Sequence, residues 1–338
     1  MKIRVYNFNR HPISPTRLTK TQTTVRATAH PNIALVKYWG KQDSQTNLPA
    51  VPSLSITLDT LRAQTEICEA DTDSFVLDGI ERSGEKQDLK LKRFLDYVRV
   101  HHDIPPLRIE SSNNFPTAAG LASSAAGFAA LVTALNTLCE LGLDDAEKST
   151  LARIGSASAA RSIFGGYVGL TEPSFAANQI AEAEHWPLKV VVAITDTGQK
   201  SVSSTEGMAI SANTSPYYSN WVNSAEADYA EAQQAIHTKD FARLAAVSEH
   251  SCLKMHAVMQ SSRPALLYWN SASMACMHAI TDLRQSGHDV FFTIDAGPQI
   301  KAICSEHSAA QVIATLNSVP GVVRTEQVAL GGAAQVAN

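Results

Sequence analysis

Apolar and polar positions change period several times along the chain, and each change marks an element. Ile33, Leu35, Lys37 and Trp39 fall on one face of an extended run, with Ala34, Val36 and Tyr38 on the other. A turn-rich link at Leu48–Pro52 separates it from two further runs. Ser53–Asp59 (SLSITLD) and Ala63–Glu69 (AQTEICE) alternate as paired strands would. Phe75–Leu77 reads as a strand ending in a turn at Asp78–Gly79. The period then lengthens. Leu89, Phe94, Leu95 and Val98 give Glu85–His101 a helical stripe, with Lys and Arg on its solvated side. Leu107 and Ile109 lead a strand into Ser111–Ser112–Asn113–Asn114. Beyond Gly127, a second stripe of Phe128, Leu131, Val132 and Leu135 predicts a helix. Asp144 or Asp145 can cap another helix within Asp144–Phe164.

Tyr167–Leu170 is a short strand, and Leu188–Asp196 (LKVVVAITD) is a buried-type strand beside which a domain junction is expected. Ser203 or Ser204, with Glu206, marks a helix start. A long helical region over about 215–260 breaks near His237–Asp240. It carries Trp221, Tyr229, Ile236, Phe241, Leu244 and Val247. Tyr268–Gln285 is another helix, stopped by Gly287. Asp289–Asp295 (DVFFTID) is a strand ending in a carboxylate, just before Ala296–Gly297–Pro298. A helix at Ala309–Val319 and a strand at Val322–Val328 close the pattern. Mixed strands and helices without regular alternation predict an α+β architecture.

Composition narrows the choices. A chain of 338 residues, 44% apolar, suits one large domain or two ordinary ones. The net charge of −4 does not point to nucleic acid, so any anion site has to come from local arrangement. Cys68, Cys139, Cys252, Cys276 and Cys304 are scattered and form no CxxC, as expected of structural thiols in a reducing compartment. No apolar run is long enough for a membrane span. His250 and His256 lie six apart, which is not a metal spacing, and no HExxH occurs. Residues 1–24 are basic, contain no acid and are expected to form a disordered extension; their composition only faintly matches a transit peptide.

Four places carry candidate chemistry, each with a plainer alternative. Ser111–Leu138 (SSNNFPTAAGLASSAAGFAALVTALNTL) sets Gly120, Ser123, Ser124 and Gly127 at the start of a helix. Small residues there let a ligand approach the backbone, and the helix N-terminus favours an anion. A tightly packed core helix with a serine cap has the same composition, and no Walker A lysine follows. Lys37 inside an apolar run is either an edge-strand gatekeeper or a cation for an anionic substrate. Ser158 and Arg161 share a face if their helix persists. That pair is either a surface feature or an arginine aimed at carboxylate or phosphate. Asp295 at a turn mouth forms the turn or serves catalysis.

Four strings bring these residues together. They are Asn-Ile-Ala-Leu-Val-Lys-Tyr-Trp-Gly-Lys from Asn32; Pro-Thr-Ala-Ala-Gly-Leu-Ala-Ser-Ser-Ala-Ala-Gly from Pro116; Gly155-Ser156-Ala157-Ser158-Ala159-Ala160-Arg161-Ser162; and Phe-Thr-Ile-Asp-Ala-Gly-Pro through Asp295. Together they resemble the mevalonate diphosphate decarboxylases of the GHMP kinase superfamily, over about Val25–Val328. The resemblance implies a two-domain α+β GHMP kinase fold. An N-terminal ATP- and phosphate-binding domain would span 25–187, and a ferredoxin-like C-terminal domain 188–338.

It also implies ATP-dependent decarboxylation of mevalonate 5-diphosphate, with ATP as co-substrate, Mg2+, a homodimer in the cytoplasm, and no membrane or nucleic-acid partner. Asp295, Lys37, Arg161 and Ser124 would be catalytic. Asn32, Tyr38, Lys41, Ser156, Ser158 and Arg161 would hold substrate. Asn113, Gly120, Ser123, Ser124, Gly127 and Lys200 would meet ATP, while the metal ligands stay unassigned. The family tends to place an arginine where this chain has Lys86. A point charge in place of a fork leaves mono- and diphosphate substrates both open. A related mevalonate 3-kinase, a phosphomevalonate decarboxylase or a non-catalytic sensor of the same fold are the alternatives.

Overall fold

The computed structural model describes residues 23–84, 86–115, 123–196, 198 and 202–337. In chain order the first half contains β1 (Thr24–Ala29), β2 (Asn32–Val36), β3 (Lys41–Asp43), β4 (Leu48–Pro49), β5 (Ser53–Thr57), β6 (Ala63–Glu69), β7 (Ser74–Leu77), β8 (Ile80–Glu81), α1 (Lys86–His101), β9 (Leu107–Asn113), α2 (Ser123–Leu138), α3 (Asp145–Gly155), β10 (Tyr167–Leu170) and β11 (Ala177–Ala181). The second half contains β12 (Lys189–Ile194), α4 (Ser204–Thr214), α5 (Tyr218–Thr238), α6 (Phe241–Gln260), α7 (Ser271–Gln285), β13 (Val290–Ile294), β14 (Ile300–Cys304), α8 (Glu306–Ser318), β15 (Arg324–Ala329) and β16 (Gln335–Val336). Residues 1–22 of the expected extension lie outside the described residues. Thr24, assigned to that extension, instead opens β1 and pairs with Cys68.

Burial decides which faces pack. In α1 the inward stripe is Leu91, Phe94, Leu95 and Val98, each worth about 1.5–3 kcal/mol when fully buried. Leu89 was expected on that stripe but lies on the opposite side, 48% exposed, because two residues turn a helix by more than half a circle. The expected pairing of 53–59 with 63–69 does not occur. β5 lies between β2 and β10, whereas β6 lies between β1 and β9 in a different sheet. All five β5 residues are buried, so its serines face another interior rather than water. Asp144 caps α3 in a capping box with Glu147, a motif worth about 0.5–2 kcal/mol. The helix stops at Gly155, and 157–163 continue as a 3-10 turn.

The second half runs β12–helices–β13–β14–α8–β15. Its antiparallel sheet has the order β13-β14-β12-β15, which is the ferredoxin-like arrangement. The break expected near 237–240 is present: Lys239 takes a left-handed conformation and Asp240 caps α6. The two halves share one apolar core. Ile33, Leu35, Leu54 and Ile56 pack with Val190, Val192, Phe291 and Ile303, and with Tyr229, Ile236 and Leu244 of α5 and α6.

The chain then returns to its beginning. β16 pairs with β1, Ala27 opposite Val336, as the edge of the six-stranded sheet β16-β1-β6-β9-β7-β8. The amides of Gly331, Ala334 and Ala337 donate to Thr57, Ile163 and Arg26 carbonyls at 2.8, 3.1 and 2.8 Å. The last residues of the unit expected over 188–338 thus complete the sheet of the N-terminal half.

Candidate active site

β2 and β13 bring the two halves face to face, with Thr293 Oγ1 donating to the Ala34 carbonyl at 3.3 Å. α6 acts as a splint across both. Ser251 Oγ accepts from the Lys37 amide at 2.9 Å. The Cys252 thiol donates to the Ile294 carbonyl at 3.5 Å and accepts from the Ile294 amide at 3.2 Å. Lys37 and Asp295 each follow a fully buried strand, so their side chains meet in a fixed place. Lys37 Nζ donates to Asp295 Oδ1 at 2.6 Å, and Lys301 Nζ on β14 lies 3.1 Å from Oδ2. Both ammonium groups are buried, while Asp295 keeps 28% of its side-chain surface open. Burial alone would raise the Asp295 pKa. Lys301 and Lys37 reverse that and hold the carboxyl well below the usual carboxylate range.

His256 of α6 lies against the same strand end. Its ring nitrogen is 3.3 Å from the Ile294 carbonyl and from Trp269 Nε1. Burial, then repulsion from Lys37, lowers its pKa to about 3, so it is a neutral structural histidine, as its lack of metal spacing predicts.

Arg161 comes from the 3-10 turn and is 2% exposed. Nε and Nη2 donate to Asn32 Oδ1 at 3.3 and 3.1 Å, Nε also to Ser55 Oγ at 3.0 Å, and Nη1 to Ser53 Oγ at 2.5 Å. This leaves one N–H on each of Nη1 and Nη2 for a ligand. Burial lowers the Arg161 pKa to about 10, opposed by Asp295 and Tyr38, so it stays a cation at neutral pH. Asn32 is turned by donating to the Ser158 carbonyl at 2.9 Å and Ser162 Oγ at 2.8 Å.

From there a hydroxyl row leads to α2: Ser158 to Ser156 at 3.4 Å, and Ser156 to Ser124 at 3.2 Å. Gly155 makes this approach possible, since a Cβ there would sit 2.0 Å from the Phe128 ring. Ser123, Ser124, Gly127 and Asn113 line a cavity of about 250 Å³ with Phe75, Leu77, Leu91, Ile109 and Phe128. A Cβ at Gly127 would meet nothing within 4 Å, so a ligand can reach the helix backbone there. Asn113 Oδ1 is buried without a partner among the described residues.

Nearer β3, Lys41 Nζ contacts two neutral oxygens among the described residues, Asn47 Oδ1 at 2.7 Å and Thr205 Oγ1 at 3.5 Å. Burial lowers its pKa. The Tyr38 hydroxyl is buried without a partner among the described residues. Gly120 and Lys200 lie outside the described residues, as does the side chain of Lys86. Hydrogen bonds link Arg161, Asn32, Ser158, Ser156 and Ser124 in turn, and Lys37 pairs with Asp295.

Sequence reasoning missed Lys301, Ser53, Ser55 and Arg153. Lys301 had the same signal as Lys37, a lysine inside an apolar run (QIKAIC). Arg153 reads as an ordinary cation in the last turn of a helix. Among the described residues no group of three or more His, Cys, Asp or Glu could hold a metal ion.

Comparison with known proteins extends this geometry. Residues 29–181 match the diphosphomevalonate decarboxylase-like N-terminal domain, and residues 190–335 the mevalonate 5-diphosphate decarboxylase C-terminal domain. The chain is 38% identical to a diphosphomevalonate decarboxylase of Gibberella zeae, covering 89% of this chain and 85% of the relative. It is 35% identical to that of Saccharomyces cerevisiae, covering 89% and 84%. MDDEF in complex with MVAPP, AMPPCP and magnesium superposes with a TM-score of 0.87 at 35% identity, covering 94% of this chain and 100% of that one. Mevalonate diphosphate decarboxylase from Staphylococcus aureus gives 0.87 at 34% identity, covering 94% and 99%.

Proposed function

The chain belongs to the diphosphomevalonate decarboxylase family, and from that premise we propose how its residues divide the family's reaction. The enzyme uses ATP to decarboxylate mevalonate 5-diphosphate, giving isopentenyl diphosphate, CO2, ADP and phosphate. A tertiary 3-hydroxyl leaves poorly, so it is first phosphorylated. The C3–O bond then breaks with its electrons going to phosphate, and the C1–C2 pair becomes the new double bond as CO2 departs.

The observation that carries the assignment of roles is Asp295 held between Lys37 and Lys301, with Arg161 near enough to feel its charge. Asp295 accepts the hydrogen bond of the 3-hydroxyl and aims its oxygen at the γ-phosphoryl group. Two ammonium groups keep it ionised but weakly basic. That suits phosphoryl transfer through a loose transition state, where orientation counts for more than early proton removal. Lys37 fixes that carboxylate. Arg161 takes the substrate carboxylate on its remaining N–H groups, and its dry surroundings favour conversion of the anion to neutral CO2.

Asn32 orients Arg161. Tyr38, Lys41, Ser156 and Ser158 hold the diphosphate. Ser123 and Ser124 at the start of α2, with Gly127 and Asn113, take the nucleotide, whose base fits the apolar cavity beside Phe128. Gly120 and Lys200 complete the phosphate contacts in this reading. Magnesium would enter with the nucleotide and neutralise phosphate charge there. The family resemblance extends the proposal to a cytoplasmic homodimer, which light scattering checks.

The test is one assay. ATP with mevalonate 5-diphosphate or 5-monophosphate is followed for ADP and CO2 together. Equal amounts of both products from the diphosphate are expected. ADP without CO2 would make the enzyme a kinase, and preference for the monophosphate would change its substrate.

A further inference from the structure

Lys37 and Asp295 each follow an edge strand. β2 ends the order β11-β10-β5-β2, and β13 ends the order β13-β14-β12-β15. An edge strand leaves alternate backbone groups without a ladder partner, and both of these edges are buried. Helix side chains supply the missing partners. On β13 the groups of Val290, Phe292 and Ile294 share the open edge. The Val290 carbonyl accepts from Arg284 Nη1 of α7 at 3.3 Å, the Phe292 amide donates to Glu249 Oε1 of α6 at 3.1 Å, and the Ile294 amide donates to Cys252 Sγ at 3.2 Å. Arg284 holds Glu249 in turn, at 2.6 and 3.0 Å.

The last of these contacts bears on the chemistry, because Ile294 immediately precedes Asp295. Cys252 meets both backbone groups of Ile294, accepting from the amide and donating to the carbonyl. Trp269 Nε1 donates to His256 Nε2, so that nitrogen carries no proton and leaves the carbonyl to the thiol. On β2 the pairing with β5 shifts register between Ala34 and Val36 and ends at Val36. The Lys37 amide lies just past that point and donates to Ser251 Oγ at 2.9 Å. Ser251 and Cys252 are neighbours on α6, and both are fully buried. Successive helix residues point about 100° apart, so one reaches β2 and the other β13.

We propose that Ser251 and Cys252 are positioning residues for phosphoryl transfer, which together set Lys37 against Asp295 across the junction of the two halves. They act through backbone groups, and neither touches the reacting atoms. The proposal rests on the roles given above to Lys37 and Asp295. It makes the hydroxyl and the thiol necessary as hydrogen-bonding groups, beyond the space they fill, since an unpaired N–H in that dry place would draw the strand end out of line.

Ser251→Ala and Cys252→Val remove those groups with little change of volume, while Cys252→Ser keeps a group that both accepts and donates. Ser262→Ala is the control: Ser262 is buried just beyond α6 and bonded to Ser211 Oγ at 2.8 Å, not to either strand. All four are assayed with ATP and mevalonate 5-diphosphate below their melting temperatures. The kcat is expected to fall at least about fivefold in Ser251→Ala and about tenfold in Cys252→Val, with both KM values within about twofold of the wild type. Cys252→Ser should recover most of the loss, and Ser262→Ala should match the wild type. Native kcat in the first two variants, no gain from Cys252→Ser, or an equal fall in Ser262→Ala overturns the proposal. A wild type without turnover would refute the function itself, so amide hydrogen exchange, followed by NMR, gives a readout independent of activity. Exchange should rise at least about tenfold at the Lys37 amide in Ser251→Ala and at the Ile294 amide in Cys252→Val, with neither moved by Ser262→Ala. Unchanged exchange at either amide overturns the assignment.

Discussion

The two ends of the cleft are built on opposite plans. At the reacting end every charged group already has a partner: Asp295 lies between two lysines, and Arg161 is anchored on Asn32, Ser53 and Ser55. At the phosphate end the donors wait: among the described residues Tyr38 and Arg153 carry buried unpaired atoms, and Lys41 meets neutral oxygens. The first plan fixes the field before substrate arrives, so little reorganisation is left for the chemical step. The second leaves its attraction to be satisfied by the ligand, which puts it into binding. Changes at the first end should therefore act on kcat and those at the second on KM.

The sharpest break of this contrast is Asp295→Asn. Asparagine keeps the shape and removes the charge, so turnover should fall at least ~10²–10⁴-fold, with ADP and CO2 lost together. Two buried ammonium groups also lose their counter-ion, so stability should drop by about 3–5 kcal/mol. Single-turnover assays below the lowered melting temperature, with a nucleotide titration as control, separate the two effects. A folded variant with near-native rates would remove Asp295 from catalysis, and full-rate ADP without CO2 would move it to the second step.

Ser124→Ala touches the hydroxyl row where α2 meets the nucleotide. The expected loss is about 2–4 kcal/mol of transition-state stabilisation, with an unchanged melting curve because the side chain is exposed. Native turnover would place the phosphates elsewhere.

Lys301→Met sharpens the reacting end by removing one of the two charges that depress Asp295. Its carboxyl pKa then rises towards ~3.9, so the acid limb of the kcat/KM profile moves to higher pH, with less than about tenfold change at pH 8. Stability follows the same sign. A depressed carboxyl stabilises the fold above its unfolded pKa and loses that contribution as pH falls through the folded value. The variant should therefore lose its share at higher pH than the wild type, and an acid limb that does not move would show that Lys301 exerts no control. The smallest effect is expected from deleting residues 1–22, which precede every residue given a role above. Turnover should be unchanged, and a loss above about tenfold would make the segment part of the enzyme.

The reacting end was legible because its residues break local rules. Lys37 sits in an apolar run and Asp295 at a strand mouth, and each gains its meaning from a string rather than from composition. Lys301 broke the same rule and was missed because no such string marked it. Ser53 and Ser55 were read only as positions in an alternating strand, since alternation reports that a strand has two faces and not what covers each. Arg153 obeys every local rule for a helix end, and only in three dimensions do its Nε and Nη1 stand without a partner among the described residues. The element order was readable from period and caps. The pairing of β5 and β6 was not, because neighbours in sequence were assumed to be neighbours in a sheet.

The return of β16 to β1 sets an order of events during synthesis. β1 is among the first strands to be made and its outer partner the last, roughly 300 residues later, a delay of about 15–60 s at ~5–20 residues per second. Throughout that interval the amides and carbonyls along the β1 edge stand unpaired, open to any other extended segment nearby. The nascent chain is most exposed to mispairing after most of its core has been made, and the arrival of β16 covers that edge.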